Sequence, residues 1–563
     1  MGVATDIMER LSTLATRRTM WEPTWQQVAD VAAPEVLDFL PGSQGAQMMG
    51  MNSLLDMPRS AQRSARIYDT TAVNSVDRLA AGIEALAIPQ SEYWHGFGIE
   101  DLEEYQPELA ERQWLERLNR LFFRQRYDAD SGWIASSQTA LRRMIQFGTG
   151  LFSVEDGYKG RSMIQYRYWP LANSYIDEDH CGRVDTWLKT DTLTARQYVQ
   201  RYSSAADTIP AKVIEAANDP KKMDDRFQVV TMVSPRGDFG PIQAGIGRAP
   251  YGTVHIDIES QQVIRSSGYW EFPLIDFRWL PETGRIYGEG PLMRCLADVQ
   301  SLNVMAKNEM TASQQSINPP LLVASAGVMN RPVATPGGIT YGGMTANGQR
   351  LIEPLFSQQR QDFHTMVLEA KRNQVKDSMY INLFALLVKN PQMSATEAMI
   401  RASEKGELLG PAGARIQESL SRMVEREMGI LSRRGLFDAK SAYRVPRSIE
   451  GADVQPQMSG PLNKLRRTKE AEGTVRTLQV LSPLMQIDPS ISDNFDADAM
   501  TTGLAEIMGM PAEFVRDPKI VAQMRQQRAQ QQAQAQQAEI AQKMATAGKQ
   551  GSEALNNLQQ TGL

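Results

Sequence analysis

The sequence predicts an α+β protein that is predominantly α. Three observations predict it: β-branched and alternating runs confined to residues 151–279, two long helical runs bracketing a Gly/Pro-rich segment between residues 290 and 388, and a C-terminal stretch dominated by Gln and Ala. At 563 residues the chain exceeds the size at which a single core stops growing, so more than one packed region is expected. Its 42% hydrophobic and 22% charged residues suit a globular protein and argue against a disordered or fibrous one.

Residues 1–40 read as a helix that carries Trp21 and Trp25 one turn apart and stops by Pro34 and Pro41; Trp at that spacing belongs to a core. A Met/Gly/Ser-rich loop follows from Gly42 to Met57. Val73, Val76, Leu79, Ala80, Ile83 and Leu86 recur at three- and four-residue steps, which makes an amphipathic helix ending before Pro89. Strands follow: Val229 to Val233 is β-branched, and Val254, Ile256 and Ile258 alternate with polar residues. Asp177-Glu178-Asp179 with Gly182 lies between two strand-like runs and reads as a hairpin turn, because a calcium loop would need ligands that are missing.

At Gly290-Pro291 a helix is expected to begin, with Leu292, Leu296, Val299, Leu302 and Met305 on one stripe, and it must end before Pro319-Pro320. About 27 residues at a rise of ~1.5 Å give a rod of about 40 Å. Ser357 to Val388 contains neither Gly nor Pro and predicts a second rod. The segment between them is rich in Gly and Pro, with Leu321-Leu322-Val323 as a short strand. Two rods bracketing a compact tip make a projecting hairpin, whose apolar stripe needs neighbouring copies to cover it.

Asn390-Pro391 breaks the chain, leaving Lys389 to Met393 as a short loop between helices. Ser394-Ala395-Thr396-Glu397 has the form of a capping box, so a new helix starts at about Ala395 and runs toward Arg434. Gly406 and Gly410-Pro411-Ala412-Gly413 are expected to kink or interrupt it. Asp517-Pro518 opens a last helix through Lys519 to Ala547. Its apolar positions Val521, Met524 and Ile540 are too sparse for a strong coiled-coil seam, and the last fifteen residues are expected to be loose.

Enzyme signatures are missing. No G-x-x-x-x-G-K-[ST] occurs, so there is no phosphate cradle of the P-loop kind. Phe147-Gly148-Thr149-Gly150 and Tyr287-Gly288-Glu289-Gly290 lack the spacing of a nucleotide fingerprint and read as turns. His95, His180, His255 and His364 form no H-x-x-x-H pair, and no G-x-S-x-G elbow appears. His180 beside Cys181 is the only soft-ligand pair, and neighbours on a strand would point to opposite faces. Asp128/Asp130 is one of many carboxylate pairs expected among 65 acidic residues. Cys181 and Cys295 build neither a disulfide framework nor a four-ligand zinc site, which fits a reducing, cytoplasmic history. No signal peptide or membrane span is evident. Net charge of −5 and a pI near 5.7 weigh against a protein whose task is to grip phosphates. No catalytic residue, metal ligand or cofactor is expected.

Several stretches occur in the order seen in one family. They are Tyr68-Asp69-Thr70-Thr71-Ala72, Leu79-Ala80-Ala81-Gly82-Ile83 and Pro89 with Tyr93-Trp94; then Tyr287-Gly288-Glu289-Gly290-Pro291, Leu296-Ala297-Asp298-Val299, Leu302-Asn303 and Asn318-Pro319-Pro320; then Pro336-Gly337-Gly338-Ile339, Met393-Ser394-Ala395-Thr396-Glu397, Leu409-Gly410-Pro411 and Leu431 with Gly435. This set resembles the head-to-tail connector, or portal, family of podoviruses, of the T7-like type. Ser394 stands where Thr is usual and Thr71 near a usual Gly.

The resemblance implies a ring, typically of twelve subunits, around a DNA channel at the capsid vertex. It implies a wing at 1–285, a first stem helix at 286–316, a clip at 317–356 and a second stem helix at 357–388. A tunnel loop would follow at 389–394, a long kinked helix returning to the wing at 395–450, a crown at 451–517, and a barrel-like helix with a loose tail at 518–563. Implied partners are further copies of the chain, the terminase motor, tail adaptor and tail proteins, major capsid and scaffolding proteins, and double-stranded DNA in transient, non-specific contact; no membrane and no cofactor are implied. The implied channel candidates are Lys389, Asn390, Pro391, Gln392 and Met393, and the possible DNA-facing stem cations are Lys371, Arg372 and Lys376, with ordinary solvated stem charges as the alternative. Twelve copies at −5 each give about −60, and an acidic or mixed bore suits a sliding polyanion. The alternatives are another collar or adaptor protein of the virion, or a packaging enzyme.

Overall fold

The computed structural model describes residues 2–40, 63–99, 109–157, 162–237, 249–317, 321–323, 347, 352–354, 361–381, 395–438, 440–452, 454–458, 473–477, 479–483, 495–507, 514–516 and 518–560. The chain divides into two compact units, one of residues 1–95, 121–438 and 456–462, the other of residues 96–120, 439–455 and 463–563.

In the first unit the expected single N-terminal helix is two helices, α1 (Val3–Arg18) and α2 (Glu22–Ala32). The cause is Pro23: it has no N–H to donate to the carbonyl of Thr19, so the helix cannot run through that turn, and Pro instead sits at the start of α2. Trp25 is wholly buried, stacked on Trp21 at 6.0 Å and edge-on to Tyr287 at 5.1 Å, as a core residue should be. Helix α3 (Thr71–Ala87) follows the predicted stripe and buries Val76, Leu79, Ala80 and Ile83. Strand β1 (His95–Ile99) and helix α4 (Leu109–Arg126) each cross the boundary between the units in sequence.

Helix α5 (Trp133–Phe147) leads into β2 (Thr149–Asp156), β3 (Ile164–Trp169), β4 (Ser174–Glu178) and β5 (Val184–Thr194). Helices α6 (Ala195–Arg201) and α7 (Ala211–Asn218) precede β6 (Arg226–Pro235), β7 (Tyr251–Asp257), β8 (Val263–Tyr269) and β9 (Leu274–Arg278). The strands form two antiparallel sheets, β3-β2-β9 and β4-β5-β6-β7-β8. The larger sheet is covered on both faces, and the period of two decides which residue meets which cover. Val230 and Met232 face α1 with Leu188, Val254 and Ile256, against Ile7 and Leu14. Phe227 and Val229 face α6 and α7 with Leu193 and Ile264, against Tyr198, Tyr202 and Val213.

The smaller sheet lies against α5 so closely that a Cβ on Gly150 would come within 1.9 Å of the Ala140 carbonyl oxygen. The two glycine-rich segments read as turns meet each other. Gly148 (φ +76°) ends α5, a Cβ there would lie 1.9 Å from the Gly288 carbonyl oxygen, and the Gly288 N–H donates to Thr149 Oγ1 at 3.1 Å. Their glycines are needed for close backbone approach, not for a nucleotide.

The first rod is divided. A short helix α8 (Pro291–Arg294) ends at Cys295, and α9 (Leu296–Ile317) runs on for 22 residues, about 33 Å at ~1.5 Å per residue. Strands β10 (Leu321–Val323) and β11 (Ile352–Pro354) pair antiparallel, with Leu322 opposite Glu353. The second rod, α10 (Gln361–Ser378), is shorter than the expected Ser357–Val388, because Tyr380 takes a left-handed φ of 57° and turns the chain; residues 357–360 and 382–388 lie outside the described residues.

Helix α11 (Ala395–Arg433) is not interrupted at Gly406 or Pro411. An interior Pro costs a helix about 3 kcal/mol, and the docking of its second half through Ile416, Leu420, Met423, Val424, Ile430 and Leu431, all wholly buried, outweighs that. Strand β12 (Val454–Met458) follows. The second unit holds α12 (Ala497–Ile507) and α13 (Pro518–Gln560), which passes Gly548 and reaches Gln560 where a loose tail was expected. Arg525 donates to both carboxylate oxygens of Asp498 at 2.6 and 2.7 Å, Val521 and Met524 are half-buried, and the other described side chains of α13 are exposed. No helix among the described residues is long and apolar enough to cross a membrane.

Candidate assembly and channel site

Helices α9 and α10 pack on each other, and Thr365 Oγ1 donates to Glu309 Oε1 at 3.3 Å along their length. Leu296, Val299 and Leu302 are buried on α9, and Leu368, Val375 and Met379 on α10. Beyond Leu302, none of the residues from Asn303 to Gln315 is buried. Apolar side chains nonetheless continue there: Val304 is 57% exposed, Met310 48% and, on the facing helix, Met366 74%.

The buried end is tied to the rest of the unit by polar groups. Asn303 Oδ1 accepts the Tyr68 N–H at 2.7 Å, and its Nδ2 donates to the Arg66 carbonyl at 3.0 Å. Arg372 Nε donates to Asp69 Oδ2 at 2.9 Å, while the other Asp69 oxygen accepts the Thr71 N–H at the start of α3. Burial raises the Asp69 carboxyl, but the bonds from Thr71 and Arg372 outweigh it and hold it below the usual carboxylate range. Lys371 Nζ donates to Asp298 Oδ1 at 2.9 Å, and Gln374 Nε2 to Asp298 Oδ2 at 3.1 Å. Three of the recurring motif segments, around Asp69, Asp298 and Asn303, thus converge on the base of the hairpin.

Of the stem cations singled out in the sequence, Lys371 and Arg372 are therefore engaged by acids of their own chain, and Arg372 also bonds Glu369 at 2.6 Å. Lys376 is half-buried with no ion pair among the described residues. Lys389, Asn390, Pro391, Gln392 and Met393 lie outside the described residues. Asp128 accepts the Asp130 N–H at 3.2 Å and shapes a turn.

Helix α11 is fastened to the small sheet by a set of charges that sequence reading missed. Arg426 Nε donates to the Val154 carbonyl at 2.6 Å, Ser419 Oγ to the Asp276 carbonyl at 2.7 Å, and Arg433 grips both Glu271 oxygens. At the centre, Arg126 and Glu427, 0% and 1% exposed, form a two-bond pair at 2.6 and 3.2 Å. The Tyr166 hydroxyl donates to Glu427 at 2.6 Å, His95 Nε2 lies 2.9 Å from Arg126, and the guanidinium stacks over Trp94 at 4.5 Å. Burial alone would lower the guanidinium, but Glu427 and Tyr166 overcome it and raise its pKa; the Tyr166 hydroxyl is pushed far up, first by burial and then by Glu427. No local signal marks a partner 301 residues away.

The hairpin buries Leu302 and Val375 near its base and exposes Val304, Met310 and Met366, on an α+β body to which α11 is fastened through Arg426 and Glu427. The family follows from comparison. Residues 4–515 match the family described as bacteriophage head to tail connecting protein, and the chain belongs to that family. It is similar to a "Probable portal protein" of Bordetella phage BPP-1, 27% identical over 97% of this chain and 95% of that one, and to a "Portal protein" of Salmonella phage epsilon15, 23% identical over 98% and 95%. Among solved structures it is similar to a chain in the "Neck of native GTA particle computed with C12 symmetry", 10% identical with a TM-score of 0.35 over 71% of this chain and 83% of that one. The function is accordingly that of a head-to-tail connector.

Proposed function

We propose that the chain is the portal subunit of a phage virion, closing into a ring through which DNA enters and leaves the capsid. The observation that carries the ring is the α9–α10 hairpin, whose base is pinned by Asp69, Asp298 and Asn303 while Val304, Met310 and Met366 stand exposed in the single chain. Exposed apolar groups at that spacing are what neighbouring copies would bury. Family membership and the two portal-named relatives support the same reading.

In this reading residues 1–285 are the wing, α9 and α10 the stem, the β10–β11 unit the clip, 389–394 the tunnel loop, α11 the helix returning to the wing, and α13 part of a barrel beyond a crown at 451–517. The clip would meet the terminase motor and later the tail, and capsid and scaffolding proteins would meet the wing. The role is structural, not enzymatic, and the subunit would assemble in the host cytoplasm before becoming part of the virion. Lys376 and Lys389 remain the cations to offer DNA sparse contacts, since Lys371 and Arg372 are engaged.

Native mass spectrometry of the purified protein is expected to give a closed ring of about twelve chains. Replacing Val304, Met310 and Met366 together with Glu is expected to leave folded monomers, with circular dichroism unchanged. A wild-type protein that stays monomeric, or a triple variant that still closes rings, would overturn the proposal.

A further inference from the structure

Sequence reading set His180 and Cys181 aside on the ground that neighbours on a strand point apart. The structure puts them elsewhere. Strand β4 ends at Glu178 and β5 begins at Val184, so Asp179, His180 and Cys181 occupy the turn, where side chains need not alternate. Cys181 Sγ lies 3.2 Å from His180 Nε2, and one ligand atom from each of Asp179, His180 and Cys181 lies within 4.8 Å of the others.

The turn is held, not merely folded. Asp179 Oδ1 accepts the N–H groups of Cys181 at 2.8 Å and Arg183 at 2.9 Å, which orients the carboxylate and leaves its second oxygen for another partner. Gly182 takes φ +81°, a region open to glycine, and its carbonyl accepts Arg278 Nη2 at 2.7 Å from β9. The same guanidinium grips Glu178 at the end of β4 at 2.9 Å. The imidazole and thiol are exposed and have no other side-chain hydrogen bond among the described residues, so both are open to a ligand.

We propose that the β4–β5 turn is a binding site for a soft divalent cation, Zn2+ by chemical class, with Asp179, His180 and Cys181 as three ligands. Carboxylate, imidazole and thiolate are the donor types zinc takes, and a sulfur donor argues against Ca2+ or Mg2+. Three ligands leave a fourth tetrahedral position to water or to an external donor, and exposure gives the ion a way in. Binding converts the Cys181 thiol to a thiolate: one S–H proton passes to buffer as the metal–sulfur bond forms, and two anionic ligands balance the 2+ charge.

The test uses full-length protein freed of metal by chelator, titrated with Co2+ as a coloured probe and then with Zn2+ as competitor. The proposal expects one Co2+ per chain, a near-ultraviolet thiolate charge-transfer band, displacement by Zn2+, and release of one proton. Cys181→Ser should abolish the band, and His180→Asn should weaken binding by at least about tenfold; both positions are exposed, and circular dichroism verifies that each variant is folded. Absence of saturable binding at up to about 100-fold excess metal, or binding unchanged in folded Cys181→Ser, would overturn it.

Discussion

At the residue scale, the strongest constraint is the burial of charge. Arg126 and Glu427 hold each other in a site closed to water, and removing one leaves the other uncompensated. Glu427→Ala is expected to cost about 3–5 kcal/mol of stability, whereas joint replacement by apolar residues of similar volume, Arg126→Met with Glu427→Leu, costs far less than the two single truncations summed. Chemical denaturation of the four proteins checks it, and additive losses would refute it. Lys189 gives a pH signature. Its ammonium lies over Trp169 at 3.6 Å and Trp187 at 4.4 Å, and burial, opposed by Asp191, pulls it from 10.5 down to about 7. Between those two values the unfolded chain holds a proton that the native chain does not, so stability rises with pH across that window, by at most about 1.4 kcal/mol per pH unit. Relative to Lys189→Met, the wild type should gain stability from about pH 7 to 10. Parallel curves for the two proteins would contradict this.

At the scale of elements, contacts too close for a side chain fix how α5 meets β2. Gly150→Ala puts a methyl against the Ala140 backbone, and the overpacking is expected to cost about 1–3 kcal/mol, read as a lowered denaturation midpoint. An unchanged midpoint would mean that the helix can lift from the sheet. Glycine spacing alone did not reveal this: Gly148 and Gly288 were legible as turns, but that they touch depends on two turns 140 residues apart arriving at one place. Hydrophobic period located α3 and the cores of β6 and β7, because burial on one face is written locally, and the capping box at Ser394 to Glu397 located the start of α11. It failed where a single backbone atom decides, as at Pro23, and where distant packing overrides a breaker, as at Pro411 in α11.

At the scale of the whole molecule, the proposed DNA channel carries a prediction about charge. A chain of net charge −5, with Lys371 and Arg372 already paired, has little to offer phosphates. Filter binding at about 150 mM salt is expected to detect no stable complex with linear duplex, since tight non-specific binding requires many released counterions. A complex of micromolar affinity whose strength falls steeply with salt would count against a low-friction bore. The connector assignment was legible in the sequence through the order of its motifs, and the structure adds why some of them recur: Asp69, Asp298 and Asn303 meet at one hinge of the hairpin.

By itself the sequence determined the amphipathic α3, the two helices that bracket a Gly/Pro-rich segment, and the family to which the chain belongs, the first two through spacing within a short window and the last through the order of motifs along the chain. Only the tertiary structure decided that Arg126 meets Glu427 and that Arg372 meets Asp69. Such pairings depend on the path of the chain through space, and no periodicity carries that path.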